Sequence, residues 1–372
     1  MKTILPRIAF VEALSAAANL TGSRTTKPIL ACVKLVAAGK TLEVHSTDGE
    51  AGLRIVVRGV AIEQPGQAVI PAERLLRIVR EMMDAEIRLE AQERQCTIRG
   101  AGSEFRIFVM NASDFPPVAS FDDEPDLSVP GHELRRMIGL TIYAAARETS
   151  RYAINGVLWK KQAKKLFLVA TDGRRLARAG GALREARSAD FDAIVPARAL
   201  AVFEKVFVPP KDDEDWLIAV KVLPNQVLLK ARDAVFSTVL VEGNFPAFDA
   251  VIPKGNDNRA RLNRTELAGA IRRAEILTTE ESRAVRMAFD QSQLVITANA
   301  PEQGDARVEI PAEYSGKPLE VGFNPVFLLD ALRVITFEQV NLELEDAFRP
   351  GILCGEDKNE FLYVVMPVSL AS

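Results

Sequence analysis

Histidine is nearly missing from this chain: His45 and His132 are the only two among 372 residues. A zinc site or a His-centred catalytic triad needs more imidazole than that. The three cysteines, Cys32, Cys96 and Cys354, lie far apart and form no CxxC pair. That spacing offers no disulfide framework and suits a reducing compartment. No run approaches the ~18 apolar residues of a membrane span. Pro6, Arg7 and Glu12 interrupt the apolar N-terminal stretch, which argues against a cleaved signal. The motifs GxxxxGK[ST], GxGxxG, GxSxG and HExxH do not occur, so neither a phosphate-cradling loop nor a familiar hydrolase centre is expected. Charge of one sign is also lacking: 47 basic against 50 acidic residues leave a formal net charge of −3. That balance argues against a protein that coats nucleic acid with its whole surface, yet allows a basic surface inside an acidic exterior. The expectation is a cytoplasmic protein without catalytic residues, metal or cofactor.

What is present is ordinary in bulk, with 48% hydrophobic and 26% charged residues, and long enough for two or three domains. The informative feature is repetition. Thr47-Asp48-Gly49 recurs as Thr171-Asp172-Gly173, each time after an alternating apolar run. "VIPAERLLRIVREM" (69–82), "AIVPARALAVFEKV" (193–206) and "EVGFNPVFLLDALRVI" (320–335) each carry a β-branched run into a proline and then apolar residues at helical spacing. A second helical pattern appears as "PRIAFVEALSAAANL" (6–20), "GHELRRMIGLTIYAAARE" (131–148) and "NRTELAGAIRRAEIL" (263–277), each followed by Ser-Arg. In the third pass the turn has drifted to "ITANAPEQGD" (296–305). Phe-Pro closes the first two passes, and Met366-Pro367 the third. Features recurring in fixed order indicate an internal triplication. Each pass predicts two helices and six to eight strands, an α+β architecture with antiparallel sheets. Polar stretches at 121–131 and 253–263 read as linkers, which places domains at 1–122, 127–252 and 258–372.

The repeated Asp-Gly has a structural explanation. Asp bonds back to turn amides and Gly supplies a positive φ, so Asp48 and Asp172 are expected to build turns and not to bind a metal or catalyse hydrolysis. The signs of charge separate by element. Arg74, Arg77 and Arg80 fall at steps of three on one helix side; Arg135, Arg136 and Arg147, then Arg264, Arg272 and Arg273, load two other helices. Acids gather in "DDEPD", "DDED" and "ELED". A basic helical lining inside an acidic shell suits the phosphate backbone, without base specificity.

Several phrases carry a resemblance. "ATDGRRLA" (170–177), "YVVMPVSL" (363–370), "RYAINGVLW" (151–159), "VEGNFPAFDAVIP" (241–253) and "SRTTKPIL" (23–30) are similar, in order and over nearly the whole chain, to the bacterial DNA polymerase III β subunits, the sliding-clamp family. The resemblance implies the DNA clamp (processivity) fold: three repeated domains, each with two helices and antiparallel sheets, closing as a head-to-tail homodimer into a six-domain ring around double-stranded DNA. It implies DNA contacts at Arg24, Arg151 and Tyr152, to which the helical stripe adds Arg74 and Arg77. It implies a pocket for short linear motifs of the polymerase α subunit, the clamp loader and repair polymerases. The pocket residues carried over are Ile154, Thr171, Gly173, Arg174, Arg175, Leu176, Pro246, Val251, Val364, Val365, Met366, Pro367 and Val368, with Phe348 and Pro350 as further candidates. It implies a dimer contact through Phe105, Ile107, Ile276 and Leu277. Ala153 stands where relatives carry a second tyrosine, Arg174 where they carry histidine and Ser369 where they carry arginine. A clamp-like protein-binding scaffold that is not retained on DNA is the alternative.

Overall fold

The computed structural model describes residues 1–21, 26–147, 153–209, 216–279, 284–301 and 303–370. The chain forms two compact units. The first gathers Met1–His132, Leu183–Ser188 and Arg198–Leu240; the second gathers Glu133–Ala182, Ala189–Ala197 and Val241–Ser372. Among the described residues there are six α-helices: α1 (Arg7–Ala18), α2 (Ala72–Glu81), α3 (Gly131–Thr141), α4 (Ala197–Val206), α5 (Arg264–Glu275) and α6 (Pro325–Val334). They fall two to each sequence repeat, as the periodicity predicts. Among the described residues the strands number nine per repeat, above the expected six to eight, because pieces as short as Glu185–Ala186 and Glu313–Ser315 join the ladders.

Local chemistry accounts for the helices. In α2, Leu75, Leu76 and Val79 are buried while Arg74, Arg77 and Arg80 are exposed, so the three-residue step makes an arginine stripe opposite an apolar one. Glu73 lies in the first turn and Arg80 in the last, both favourable to the helix dipole. Asn263 caps α5 by accepting hydrogen bonds from the amides of Thr265 (2.9 Å) and Glu266 (3.1 Å). Asn324 caps α6, with Pro325 opening it. Pro71 and Pro196 differ from Pro325: they close the preceding strands, one residue before the helix. The helix expected over 131–148 stops at Thr141 and continues only as a 3-10 turn, Ile142–Ala144. There the Thr141 hydroxyl donates to the Met137 carbonyl at 2.8 Å, a back-bond that competes with the helix.

Every ladder among the described residues is antiparallel. In the first unit a five-stranded sheet runs Ala61–Gln64, Lys2–Pro6, Glu86–Ala91, Gln95–Arg99, Glu104–Phe108. A nine-stranded sheet joins Cys32–Ala38, Thr41–Thr47, Ala51–Val57 and Gly66–Pro71 of the first repeat to Leu127–Pro130, Glu185–Ala186, Leu217–Val222, Gln226–Ala231 and Ala234–Val239 of the second. The joint is the pairing of Ala51–Val57 with Ala234–Val239. The second unit repeats this plan. Its nine-stranded sheet joins strands of the second and third repeats where Arg175–Ala182 pairs with Phe361–Val365. Its four-stranded sheet runs Gly304–Pro311, Gln293–Ala300, Val285–Asp290, Leu319–Phe323.

In both joints, the strand that follows a Thr-Asp-Gly turn receives the last strand of the next repeat. The equivalent strand of the third repeat, Gly304–Pro311, is an edge, and so is Glu104–Phe108, the first repeat's counterpart of Ala234–Val239 and Phe361–Val365.

Candidate functional site

The two Thr-Asp-Gly turns match bond for bond. Asp48 Oδ1 accepts from the amides of Glu50 (3.0 Å) and Ala51 (2.8 Å); Asp172 Oδ1 accepts from those of Arg174 (3.0 Å) and Arg175 (3.1 Å). The Thr47 and Thr171 hydroxyls each donate to the carbonyl four residues on, both at 2.7 Å. Gly49 and Gly173 sit at φ +98° and +86°, a region closed to most L-residues. The aspartates are therefore turn builders, as the sequence predicts.

The second turn borders a pocket. A cavity of about 230 Å³ is lined by Ile154, Thr171, Gly173, Arg174, Arg175, Leu176, Pro246, Ala247, Phe248, Val251, Val364 and Met366. Its floor is one face of the sheet: Leu176 and Val364 are directly paired across the Arg175–Ala182 and Phe361–Val365 strands. Beside the floor, on the same face, lies an apolar cluster that includes Leu158, Val169, Ile194, Ile352, Cys354 and Leu362, and the Val241–Ile252 segment lays Phe245 and Phe248 on it. The volume is below the several hundred Å³ of a cofactor site and suits two apolar side chains.

Ten of the thirteen predicted pocket residues line this cavity. Val365 does not: strand alternation turns it to the opposite face, where it is fully buried. Pro367 and Val368 also stand outside it, because the C-terminal segment leaves the pocket after Met366 and the Val368 amide donates to the Gly322 carbonyl at 2.9 Å. Phe348 and Pro350 do not line it either, and Phe348 is exposed on its own turn. Ala247 and Phe248 were missed. The signal for them was the apolar "FPAF" phrase, in which Phe248 follows Phe245 at helical reach.

Arg175 lines the pocket by its backbone side while its guanidinium turns inward. Nε donates to Asp172 (3.0 Å), one terminal nitrogen to Asp330 of α6 (2.8 Å) and the other to the Tyr143 carbonyl (2.9 Å). The group stacks 4.6 Å from the Phe327 ring centroid. Burial works against its charge, but Asp330, Tyr363 and Asp172 outweigh it and hold its pKa above the ordinary arginine value. The turn is thus pinned to α6 from behind. Burial pushes the Cys32 and Cys354 thiols up to about 11 and Cys96 up to about 12, which keeps them in the unreactive thiol form. Among the described residues no cluster of His, Cys, Asp and Glu could hold a metal. No helix among them is long and apolar enough to cross a membrane.

The other predicted residues scatter. Arg24, Arg151 and Tyr152 lie outside the described residues. Arg74 and Arg77 are exposed and share a groove of about 610 Å³ with Glu73, Glu81 and Phe105. Arg136 is not available to a partner: it is bound to Glu133 and to the Gly180 carbonyl. Of the predicted dimer residues, Phe105 and Ile276 are exposed and Leu277 is half-buried. Ile107 is a correction. It pairs with Cys96 and belongs to the first unit's core, so it has no surface to offer, whereas its neighbour Phe108 is 80% exposed.

Three family models match the chain in succession: the N-terminal, central and C-terminal domains of the DNA polymerase III beta subunit, over residues 1–119, 128–247 and 249–369. A beta sliding clamp of Pseudomonas putida is 32% identical over 371 residues, covering 100% of both chains. The solved DNA polymerase III subunit beta of Pseudomonas aeruginosa superposes with a TM-score of 0.93 at 31% identity, again covering 100% of each chain. The solved DNA polymerase sliding clamp of Bacillus subtilis gives 0.94 at 26% identity, over the same full coverage.

Proposed function

This chain belongs to the DNA polymerase III beta subunit family, the bacterial sliding clamps, and on that premise we propose that two copies close a ring around double-stranded DNA and hold polymerases there through the pocket. The single observation that carries the ring is the pair of unmatched edges. Gly304–Pro311 and Glu104–Phe108 occupy the places that are filled at the two internal joints. Joined between two copies, they make a third joint of the same kind, and the head-to-tail symmetry then leaves neither edge open. Phe105 and Phe108 on one edge, and Ile276 at the end of α5, which packs on the other, supply apolar surface for that joint. The domains are 1–122, 127–252 and 258–372.

Exposed arginines of the helices, with Arg24, Arg151 and Tyr152, supply phosphate contacts without sequence readout, which a sliding tether requires. The pocket takes short linear motifs of the polymerase α subunit, the clamp loader and repair polymerases. The role is to tether, not to catalyse, at the nucleoid.

The test is topological. The protein is loaded onto nicked circular DNA by a clamp loader, the circle is cut once, and bound protein is measured. Retention on the circle and loss on cutting is the expected result. Equal retention before and after cutting would overturn the ring, since ordinary affinity binding ignores DNA ends. The joint is tested separately: Phe105→Arg with Phe108→Arg is expected to yield monomers by sedimentation with a folded circular dichroism spectrum.

A further inference from the structure

We infer that Met366 is a site of reversible oxidation that governs the 230 Å³ cavity: peroxide turns its thioether into a sulfoxide, and the cavity then rejects apolar side chains. The inference rests on the reading of that cavity as a peptide pocket and adds how its occupancy is regulated. Three observations meet at this residue. The first is access. Of the seven methionines, Met1, Met82, Met137 and Met287 are buried, while Met83, Met110 and Met366 are 95%, 37% and 43% exposed. The second is the inertness of the other sulfur. Peroxide attacks the thiolate of cysteine, and burial holds Cys32, Cys96 and Cys354 in the protonated form. A thioether has no proton to lose, so exposure decides whether it reacts. The third is placement. Met83 follows the end of α2, and Met110 accepts from the Cys32 thiol at 3.5 Å. Among the described residues Met366 alone of the three lines the cavity.

The backbone keeps the sulfur there. Met366 directly follows the Phe361–Val365 strand, and its amide donates to the Arg174 carbonyl at 3.0 Å. Hydrogen peroxide transfers one oxygen atom to Sδ and leaves as water; the sulfur loses two electrons to the O–O bond that breaks, and the protein gives up no proton. The new S–O dipole stands in a lining that is apolar or glycine apart from Thr171, Arg174 and Arg175. The Thr171 hydroxyl already donates to the Arg175 carbonyl, and the Arg175 guanidinium to Asp172, Asp330 and the Tyr143 carbonyl. An apolar side chain that covers the sulfoxide strips it of water and returns little in exchange. The change is reversible, because two thiols of a sulfoxide reductase become a disulfide as the oxygen leaves as water. The same soft side chain that makes the cavity adaptable is thus the one through which oxidation closes it to partners.

The experiment treats the full-length protein with dilute hydrogen peroxide and reads it two ways. Peptide mass mapping gives the sulfoxide at each methionine, and fluorescence anisotropy gives the affinity for a fluorescein-labelled peptide with two adjacent leucines in a serine background. Sulfoxide is expected at Met83, Met110 and Met366, ahead of the four buried methionines. Affinity is expected to fall by about five- to twentyfold and to return after a methionine sulfoxide reductase with dithiol. Met366→Leu is compared with itself before and after peroxide, and its affinity should not move; Met83→Leu with Met110→Leu should still lose affinity. By linkage, saturating peptide should slow oxidation at Met366 and not at Met83. Three results would overturn the inference: Met366 resists while Met83 oxidises, fully oxidised Met366 leaves affinity intact, or the loss persists in Met366→Leu. If the untreated protein does not bind the peptide and the peptide does not protect Met366, the pocket reading falls and the inference with it. If the untreated and oxidised proteins bind alike, the role of Met366 falls and the pocket stands.

Discussion

The Thr47 and Thr171 turns are the same object in two settings. Their hydrogen bonds coincide, and so do the strand registers around them: Thr47 faces Gly52 and Gly52 faces Ser237, just as Thr171 faces Leu176 and Leu176 faces Val364. The difference lies in the side chains on the face that carries Leu176 and Val364 at the second turn. At the second turn the positions beside the floor are Leu158, Val169 and Ile194. At the first they are Lys34, His45 and Val69, and His45 lies in a polar group with Glu43 (2.9 Å), which is itself bound by Arg54. Where Leu176 and Val364 make an apolar floor, Gly52 and Ser237 stand, and Val118 settles so close that a Cβ on Gly52 would lie 2.9 Å from it. The chain's own Val118 fills the first joint, with Cys32, Val69 and Phe115 as its small apolar support. The same backbone thus makes a closed joint or an open pocket according to what stands on one face of the sheet.

Six substitutions break or sharpen this comparison. The largest effect is expected from Leu176→Asp, which puts a carboxylate in the apolar floor: binding of a partner peptide with two apolar anchors should fall by about a hundredfold or more. The reciprocal change, Gly52→Leu, should leave peptide affinity untouched and destabilise by about 1–3 kcal/mol through overpacking against Val118 and Ser237. If Gly52→Leu weakens peptide binding, the two joints are not independent. Next comes Arg175→Ala. It removes the cation that Asp172 and Asp330 share, leaving Asp330 only Arg333 at 3.5 Å, at a cost of about 2 kcal/mol after allowance for partial exposure, and loosens the pocket rim. Calorimetry and anisotropy on one variant read both, and a change in stability with intact affinity would detach Arg175 from the pocket.

Gly49→Ala and Gly173→Ala force a side chain into a positive-φ position and should each cost about 1 kcal/mol or more. Similar losses in melting temperature, with peptide affinity falling only for Gly173→Ala, would show that the turn is scaffold in both places and a binding rim in one. The smallest effect concerns pH. Burial lowers the His45 pKa from its usual 6.5. Burial would raise Glu43, but Arg54 and His45 outweigh it and hold its pKa below 4.5. Both folded-state values are depressed, so both groups contribute stability above those pH values that fades as pH falls through 6.5 and then 4.5. Melting curves of His45→Gln should show a shallower loss between about pH 7 and 5.5 than the wild type. The second joint, with Val169 at the equivalent position, has no such titration.

Much of this was legible in the sequence because it is local. The Thr-Asp-Gly chemistry, the Asn263 cap and the two-faced α2 follow from residues within a turn of one another. Two of the errors share a physical cause. Val365 and Ile107 were assigned to surfaces although a strand alternates its faces, and the neighbour in each case, Val364 and Phe108, points the productive way. Pro367 and Val368 depart from the pocket because of the distant Gly322 carbonyl. The inward turn of Arg175 depends on Asp330, which no spacing rule connects to it.

By itself, then, the sequence determined the three-fold repeat, the helices with their arginine stripe, and the turns, since propensity, capping and alternation act over a few residues. Tertiary structure decided which of two identical turns opens into a pocket, which arginine is spent inside and which is left at the rim, and which edges remain unmatched. Those outcomes depend on side chains brought together across sheet joints from residues far apart in the chain, where burial and charge pairing, not local propensity, set the free energy.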